Sequence, residues 1–249
     1  MPARHDLHAP LRATPLDDGM ADGLPAVTAQ VVGVVHGALT LEAPDCVWVV
    51  PAGHTAWVPA HRLTRTTRHG AVRGWCVQMG DAASSDLPGG ICVAPTSGLL
   101  HEAALRACTW PDGPREPAHW RIAGVVLDEL AALGPRPALG LPLPAAPDLR
   151  TVAQAMREDL ASEPGLPHWA ARADMPPRTL TRRFADETGL SIGDWRQRAR
   201  VLRAIEGLAE GRAPGDIAPG LGYDNARSFS AMFRRELGTL PTRFLTAAG

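Results

Sequence analysis

Arg178-Thr-Leu-Thr-Arg-Arg-Phe-Ala-Asp-Glu-Thr-Gly189 recurs 49 positions later as Arg227-Ser-Phe-Ser-Ala-Met-Phe-Arg-Arg-Glu-Leu-Gly238. Under that offset Arg178 matches Arg227, Leu180 matches Phe229, Phe184 matches Phe233, Glu187 matches Glu236, Gly189 matches Gly238, and further on Trp195 matches Phe244. Upstream of each copy lies a short helical pattern, residues 169–175 and 217–223, with a turn-forming residue at its end, Asp174 or Gly222. A short helix, a tight turn and a second helix make a helix-turn-helix, and the sequence carries two.

Within the second helix of the first copy, at 100° per residue, Leu180, Phe184 and Glu187 fall on one side. Arg178, Thr181, Arg182 and Ala185 fall on the other. Such an outward face suits a major groove, because Arg binds guanine bidentately and Thr offers a hydroxyl or a methyl. A solvated surface would carry the same residues, and the repetition is what favours DNA. The second copy presents Arg227, Ser230, Ala231 and Arg234 opposite Phe229 and Phe233, while Arg183 and Arg235 stand to the side, within reach of phosphate. Between the copies Ser191-Ile-Gly-Asp194 starts a helix with Ile192, Trp195, Ala199, Leu202 and Ile205 at helical spacing. A connector of this kind, about 28 Å long, sets two readers near the ~34 Å repeat of the duplex.

Outward from this region the chain is ordinary in bulk. Its 249 residues are 45% apolar with a net charge of −1, so folded domains are expected and the overall charge does not announce a polyanion partner. Residues 148–249 hold 15 Arg against 13 Asp and Glu, a weakly basic half, and every Lys-or-Arg position in the chain is Arg. No apolar run reaches membrane-spanning length and the N-terminus lacks a signal-peptide core, so a cytoplasmic location without membrane partners is expected. Cys46, Cys76, Cys92 and Cys108 form no C-x-x-C pair and read as small core residues.

Residues 1–26 read as a loose arm. From Val27 to about residue 95, short β-prone runs alternate with turn residues at His36-Gly37, Pro44-Asp45, Pro51-Ala-Gly53, Pro59 and His69-Gly70, the pattern of a small barrel or sandwich. His54, His61 and His69 raise the question of a metal, but no His-x-His with a following Glu is present, so the expected metal and cofactor content is none. Leu99, Leu100, Ala103, Ala104 and Ala107 fit one helix face, and Trp120, Ala123, Leu127, Leu130 and Ala131 a second. These two faces either pack on the barrel or pair with a second copy of the chain. Residues 135–147 are Pro-rich and read as an extended linker. From Asp148 a helix follows with the stripe Leu149, Val152, Ala153, Met156 and Leu160.

Residues 27–95, above all Trp48-Val-Val-Pro-Ala-Gly-His-Thr-Ala-Trp-Val-Pro-Ala60, resemble the cupin-type sensor domain of bacterial regulators. The segments Arg178-x-Leu-x-Arg-x-Phe, Gly189-Leu-Ser191, Ile217-Ala218, Gly222-Tyr223-Asp224, Phe229-Ser230, Phe233-Arg234 and Gly238-x-x-Pro241 resemble the DNA-binding domain of the AraC family of transcriptional regulators. The resemblance implies an α+β chain: a cupin-like effector or dimerisation domain with two following helices over 27–134, the linker, and a double helix-turn-helix over 148–249. It also implies a sequence-specific regulator, activator or repressor, with double-stranded operator DNA as partner. A small-molecule effector, a homodimer and, for an activator, RNA polymerase are further implied partners. Base readers carried over by position are Arg178, Thr181 and Arg182 in the first copy, and Arg227 and Ala231 in the second. The sequence departs from the family at Pro176, where Ser usually caps the helix, at Ala231, where Arg is common, and at Pro219-Gly220, which interrupts a helix. These departures make the first copy the expected main reader. Two other readings stay open, a cupin-type metal-binding protein or small-molecule enzyme, and a degenerate regulator with weakened DNA binding.

Overall fold

Val31, Val32, Val34 and Val35 sit in one β-branched run, and the long strand it starts is the spine of the N-terminal half. The computed structural model describes residues 11–17, 27–80, 87–110, 113–134 and 137–244. The strands are β1 (Leu11–Leu16), β2 (Ala29–Glu42), β3 (Cys46–Pro51), β4 (His54–Val58), β5 (Arg65–Met79), β6 (Cys92–Pro95) and β7 (Gly140–Pro142). They form one antiparallel sheet in the order β1-β5-β2-β3-β7, with β4 pairing β2 and β6. Helices α1 (Gly98–Ala107) and α2 (Pro117–Ala131) follow β6. After β7 come α3 (Pro147–Glu158), α4 (Leu166–Arg172), α5 (Pro177–Thr188), α6 (Ile192–Ala209), α7 (Pro214–Ile217), a 3-10 turn at Pro219–Leu221, α8 (Ala226–Leu237) and α9 (Pro241–Phe244). None of the described helices is long and apolar enough to cross a membrane.

Two expected turns are bulges. His36-Gly37 and His69-Gly70 lie inside β2 and β5, whose ladder shifts register between Val34 and Ala38, with Gly37 at φ 75° and Gly70 at φ 69°. A glycine in the left-handed region serves a turn and a bulge alike, so composition does not separate the two. His69 and His54 therefore stand in strands, not at turns. The expected arm is also corrected over its middle: Leu11–Leu16 pairs with β5 in unbroken register from Leu11–Met79 to Leu16–Gly74. Residues 1–10 and 18–26 lie outside the described residues.

Each face of the sheet has its own core. On one face Leu11, Val31, Trp57, Trp75, Val77 and Met79 meet Leu100, Ala104, Ala107, Val126, Leu127 and Leu130 of α1 and α2. The apolar stripes expected there hold except at their edges, since Leu99 is 58% exposed and Ala131 is also exposed. Packing on the sheet is thus what buries these helices. On the other face Val32, Val34, Leu39, Leu41, Val47, Val49 and Val50 belong to a cluster that continues without a break through Leu149, Met156, Phe184, Trp195, Leu202, Ile205, Phe229 and Phe233. Hydrophobic burial therefore does not divide at residue 147. The Pro-rich segment, expected as an extended linker, forms a 3-10 turn at Pro137–Leu139 and then adds β7 to the sheet edge beside β3, which places Leu139 and Leu141 in the shared cluster.

Candidate nucleic-acid interface

The two copies fold as one unit repeated. Asp174 (φ 49°) and Gly222 (φ 80°) both take the left-handed conformation at their turns, and Gly189 and Gly238 both end their helices in it. Phe184 meets Trp195 edge-on at 5.5 Å and 89°, and Phe233 meets Phe244 at 5.2 Å and 85°. These are the pairs that the 49-residue offset relates. Leu180, Phe184, Phe229 and Phe233 are completely buried, so the anchoring side of each second helix is fixed by packing.

The opposite side is open. Arg178, Thr181 and Arg182 of α5 are exposed, and Thr181 Oγ1 donates to Pro177 O at 3.0 Å. On α8, Arg227, Ala231, Arg234 and Arg235 are exposed and Ser230 is half-buried; together with Leu240 these line one concavity. Sequence spacing had placed Arg227, Ser230, Ala231 and Arg234 on one side and Arg235 beside them, and the structure brings all five together. Leu240 was not among them: it follows the helix, where periodicity has ended.

Arg183 and Arg235 differ. Arg183 donates to Asp148 at 2.7 and 3.3 Å and lies 4.0 Å from Glu187, so it straps α5 to the start of α3. The bond from Arg183 leads the effects that hold the Asp148 carboxyl below its usual range, and the same bond raises the guanidinium. Glu187 accepts from the backbone N–H groups of Ala145 and Ala146, both at 2.9 Å, satisfying donors at the N-terminus of α3. Under the repeat offset Arg183 corresponds to Met232, which is buried, so Arg183 and Arg235 are not equivalent positions. Arg235 is exposed and pairs with Glu236 at 3.0 Å.

The helix starts depart from symmetry in an unexpected direction. α5 begins at Pro176-Pro177 without a side-chain cap; Pro177 holds the first helical position and Pro176 is extended, as a residue before proline must be. α8 is capped, because Asn225 accepts from Ser228 N at 2.9 Å. Pro219-Gly220 does break the preceding helix, reducing it to the four residues of α7 and a 3-10 turn. Ile217, Ala218 and Leu221 remain buried, and α8 keeps 12 residues, as does α5.

The connector α6 spans 18 residues, about 27 Å. Two of its arginines are structural. Arg196 donates to Ser162 O and sits 5.7 Å over the Trp169 ring; Arg200 donates to Leu160 O at 3.0 Å and to Glu163 at 2.9 Å. Both are buried, and burial pushes the Arg196 guanidinium down. The face of α6 toward the sheet was not legible in sequence: Trp195 Nε1 donates to Pro142 O at 2.7 Å, and Thr40 Oγ1 donates to Glu206 at 2.8 Å. Among the described residues no group of three or more His, Cys, Asp or Glu could hold a metal ion.

A family model described as "Helix-turn-helix domain" matches residues 169–247. The HTH-type transcriptional regulator NimR of Escherichia coli (strain K12) is 30% identical over 217 residues, covering 87% of this chain and 79% of that protein. The HTH-type transcriptional regulator RipA of Corynebacterium glutamicum is 34% identical over 105 residues, 42% of this chain and 32% of that protein. Among solved structures, the DNA-binding domain of AdpA in complex with a target DNA is 31% identical, covers 39% of this chain and 87% of that one, and gives a TM-score of 0.36.

Proposed function

The chain belongs to the AraC family of DNA-binding transcriptional regulators, and from that premise we propose that α5 and α8 are its two base-reading helices. The observation that carries this is the repeated division of each helix: completely buried Leu180, Phe184, Phe229 and Phe233 on one side, exposed arginines on the other. Arg178, Thr181 and Arg182 read one major-groove segment. Arg227, Ser230, Ala231 and Arg234 face the next, and Arg235 lies to the side, within reach of phosphate. Arg183 supports the first reader by holding α5 on Asp148 rather than by touching bases.

Ala231 offers only a methyl where Arg182 stands in the first copy, so α5 carries more of the sequence readout. The capped and full-length α8 argues that the second copy still docks, chiefly through Arg227 and Arg234. The N-terminal half, residues 27–134, acts as a cupin-like module that senses a small molecule or joins two copies of the chain, and residues 135–147 connect it to the reader. A cavity of about 180 Å³ between the sheet and α3/α6, reached by Thr40, Thr67, Arg157 and Arg203, supports a small-molecule role. The working compartment is the cytoplasm, with operator DNA as partner and RNA polymerase as a second where the protein activates.

Selection of genomic fragments on the purified full chain supplies an operator. Arg182→Ala should then cost about 1–3 kcal/mol on that duplex and little on random DNA. Equal losses on both duplexes mean that Arg182 holds phosphate and that the base-reading assignment of α5 is wrong.

A further inference from the structure

Where β5 bulges, the sheet touches the C-terminal end of α6. Gly70 comes so close there that a Cβ on it would stand 2.1 Å from Ala209 O. His69, one residue earlier, is 8% exposed, and its ring lies between groups of both halves of the chain. Nε2 is 2.9 Å from Thr40 Oγ1 of β2, and Nδ1 is 2.9 Å from Glu210 Oε1, just past the end of α6.

Counting protons fixes the state of that ring. Thr40 Oγ1 spends its one hydrogen on Glu206 Oε1 at 2.8 Å. Its contact with His69 is therefore a hydrogen bond only if Nε2 carries a proton and donates. Glu210 presents a carboxylate oxygen, which accepts; the bond with His69 leads the effects that hold this carboxyl below its usual range, so it is ionised at neutral pH. The Nδ1 contact then also needs a proton on the ring. With one proton fewer, either Nδ1 loses its bond to Glu210 or Thr40 turns its hydroxyl to Nε2 and releases Glu206, so one bond between the sheet and the end of α6 is lost either way.

The geometry points to His69 as an imidazolium that clamps the N-terminal sheet onto the connector between the two DNA-reading helices, and to loss of one ring proton as the event that releases the clamp. The charged groups around it suit such a release. Glu206 also lies 3.8 Å from Nε2, and it has Arg203 at 3.4 Å, while Glu210 has Arg212 at 3.2 Å. Across the same cavity Glu42 is shared by Arg65 at 2.9 Å and Arg157 at 3.8 Å. Both carboxylates of the clamp thus keep an arginine on the helical side after the ring becomes neutral, and the contact that disappears is the one to the sheet. The carbonyl-rich end of α6 adds a preference for a cation at this point.

The sign follows from the proton count. The docked form holds the ring proton, so docking is favoured by acid and weakens as pH rises and the proton is lost. The contact concerns packing between the halves, so it stands or falls without reference to DNA.

The test uses the full chain. Side-chain ¹⁵N NMR, with the His69 resonances assigned by their loss in His69→Gln, should show both ring nitrogens protonated wherever amides of β5 and the end of α6 are protected from hydrogen exchange. That protection should fall about tenfold as pH rises and the ring loses a proton, and it should be flat with pH in His69→Gln. Glu210→Gln, whose amide can donate to Nδ1, should keep the halves docked with a neutral ring and lose the pH dependence. A singly protonated ring in the docked protein, or the same pH profile in the wild type and His69→Gln, overturns the proposal.

Discussion

Trp195→Phe tests whether the two halves of the chain are one folded object. The indole is completely buried, meets Phe184 of α5 edge-on, and donates from Nε1 to Pro142 O of β7 at 2.7 Å. Phenylalanine keeps the aromatic contact and removes the donor. Losing that bond costs about 0.5–1.5 kcal/mol, nearer ~3 if the carbonyl is left without a partner. The smaller ring withdraws a few buried carbon atoms, about 2 kcal/mol more at ~0.8 kcal/mol for each buried methylene-sized group. The expected total is about 2.5–5 kcal/mol. Denaturant unfolding of the full chain, followed by far-ultraviolet circular dichroism and by hydrogen exchange of β3 and α5, measures it. The midpoint should fall for probes in both halves together, because Trp195 lies in a core that continues from Val47 and Val49 to Phe184 and Phe233. Separate transitions, with the β3 probe indifferent to Trp195→Phe, would refute the shared core.

Three further outcomes follow from the same geometry. Asn225→Ala removes the side-chain cap of α8 and should cost about 1 kcal/mol of stability, with the loss of exchange protection concentrated at Arg227–Phe229; an unchanged midpoint would mean that the N–H of Ser228 finds water equally well. Desolvation, the leading cause in each case, pushes the thiols of Cys46 and Cys76 up to about 12, so at pH 8 roughly one in ten thousand is thiolate. Mass-spectrometric labelling should find both inert until the protein unfolds, and native-state labelling of Cys76 as fast as Cys108 would contradict its burial. Asp148, whose carboxyl is depressed by Arg183, contributes stability that is present above the ordinary carboxylate pKa of ~3.9 and is lost as pH falls through its lower folded value. Asp148→Asn should be less stable than the wild type at pH 7 and converge with it on acidification; a gap that persists through the acid range would exclude the ion pair as its source.

The sequence determined the helical half almost completely, because its signals are local. An offset of 49 residues related Phe184 to Phe233 and Trp195 to Phe244, and the fold pairs them in matching edge-on contacts. Helical spacing separated Leu180 and Phe184 from Arg178, Thr181 and Arg182, since a rotation of 100° per residue is fixed by the backbone alone. Proline's fixed φ and missing N–H foretold the break before α8. Short apolar runs likewise identified strands, but whether Gly37 and Gly70 end a strand or bulge it depended on partners 30 or more residues away. The same limit governs the arginines: Arg183 read as within reach of phosphate and nothing local singled out Arg196 or Arg200, yet each is committed to an acceptor at least 34 residues distant. Only the tertiary structure could bring Thr40, His69, Glu206 and Glu210 together, because contacts between β2, β5 and α6 leave no periodic trace in any one of them. The two exposed faces proposed as readers were written locally on α5 and α8; how the two halves hold each other was decided by a buried hydrogen-bond network that exists only once the sheet has packed against the connector helix.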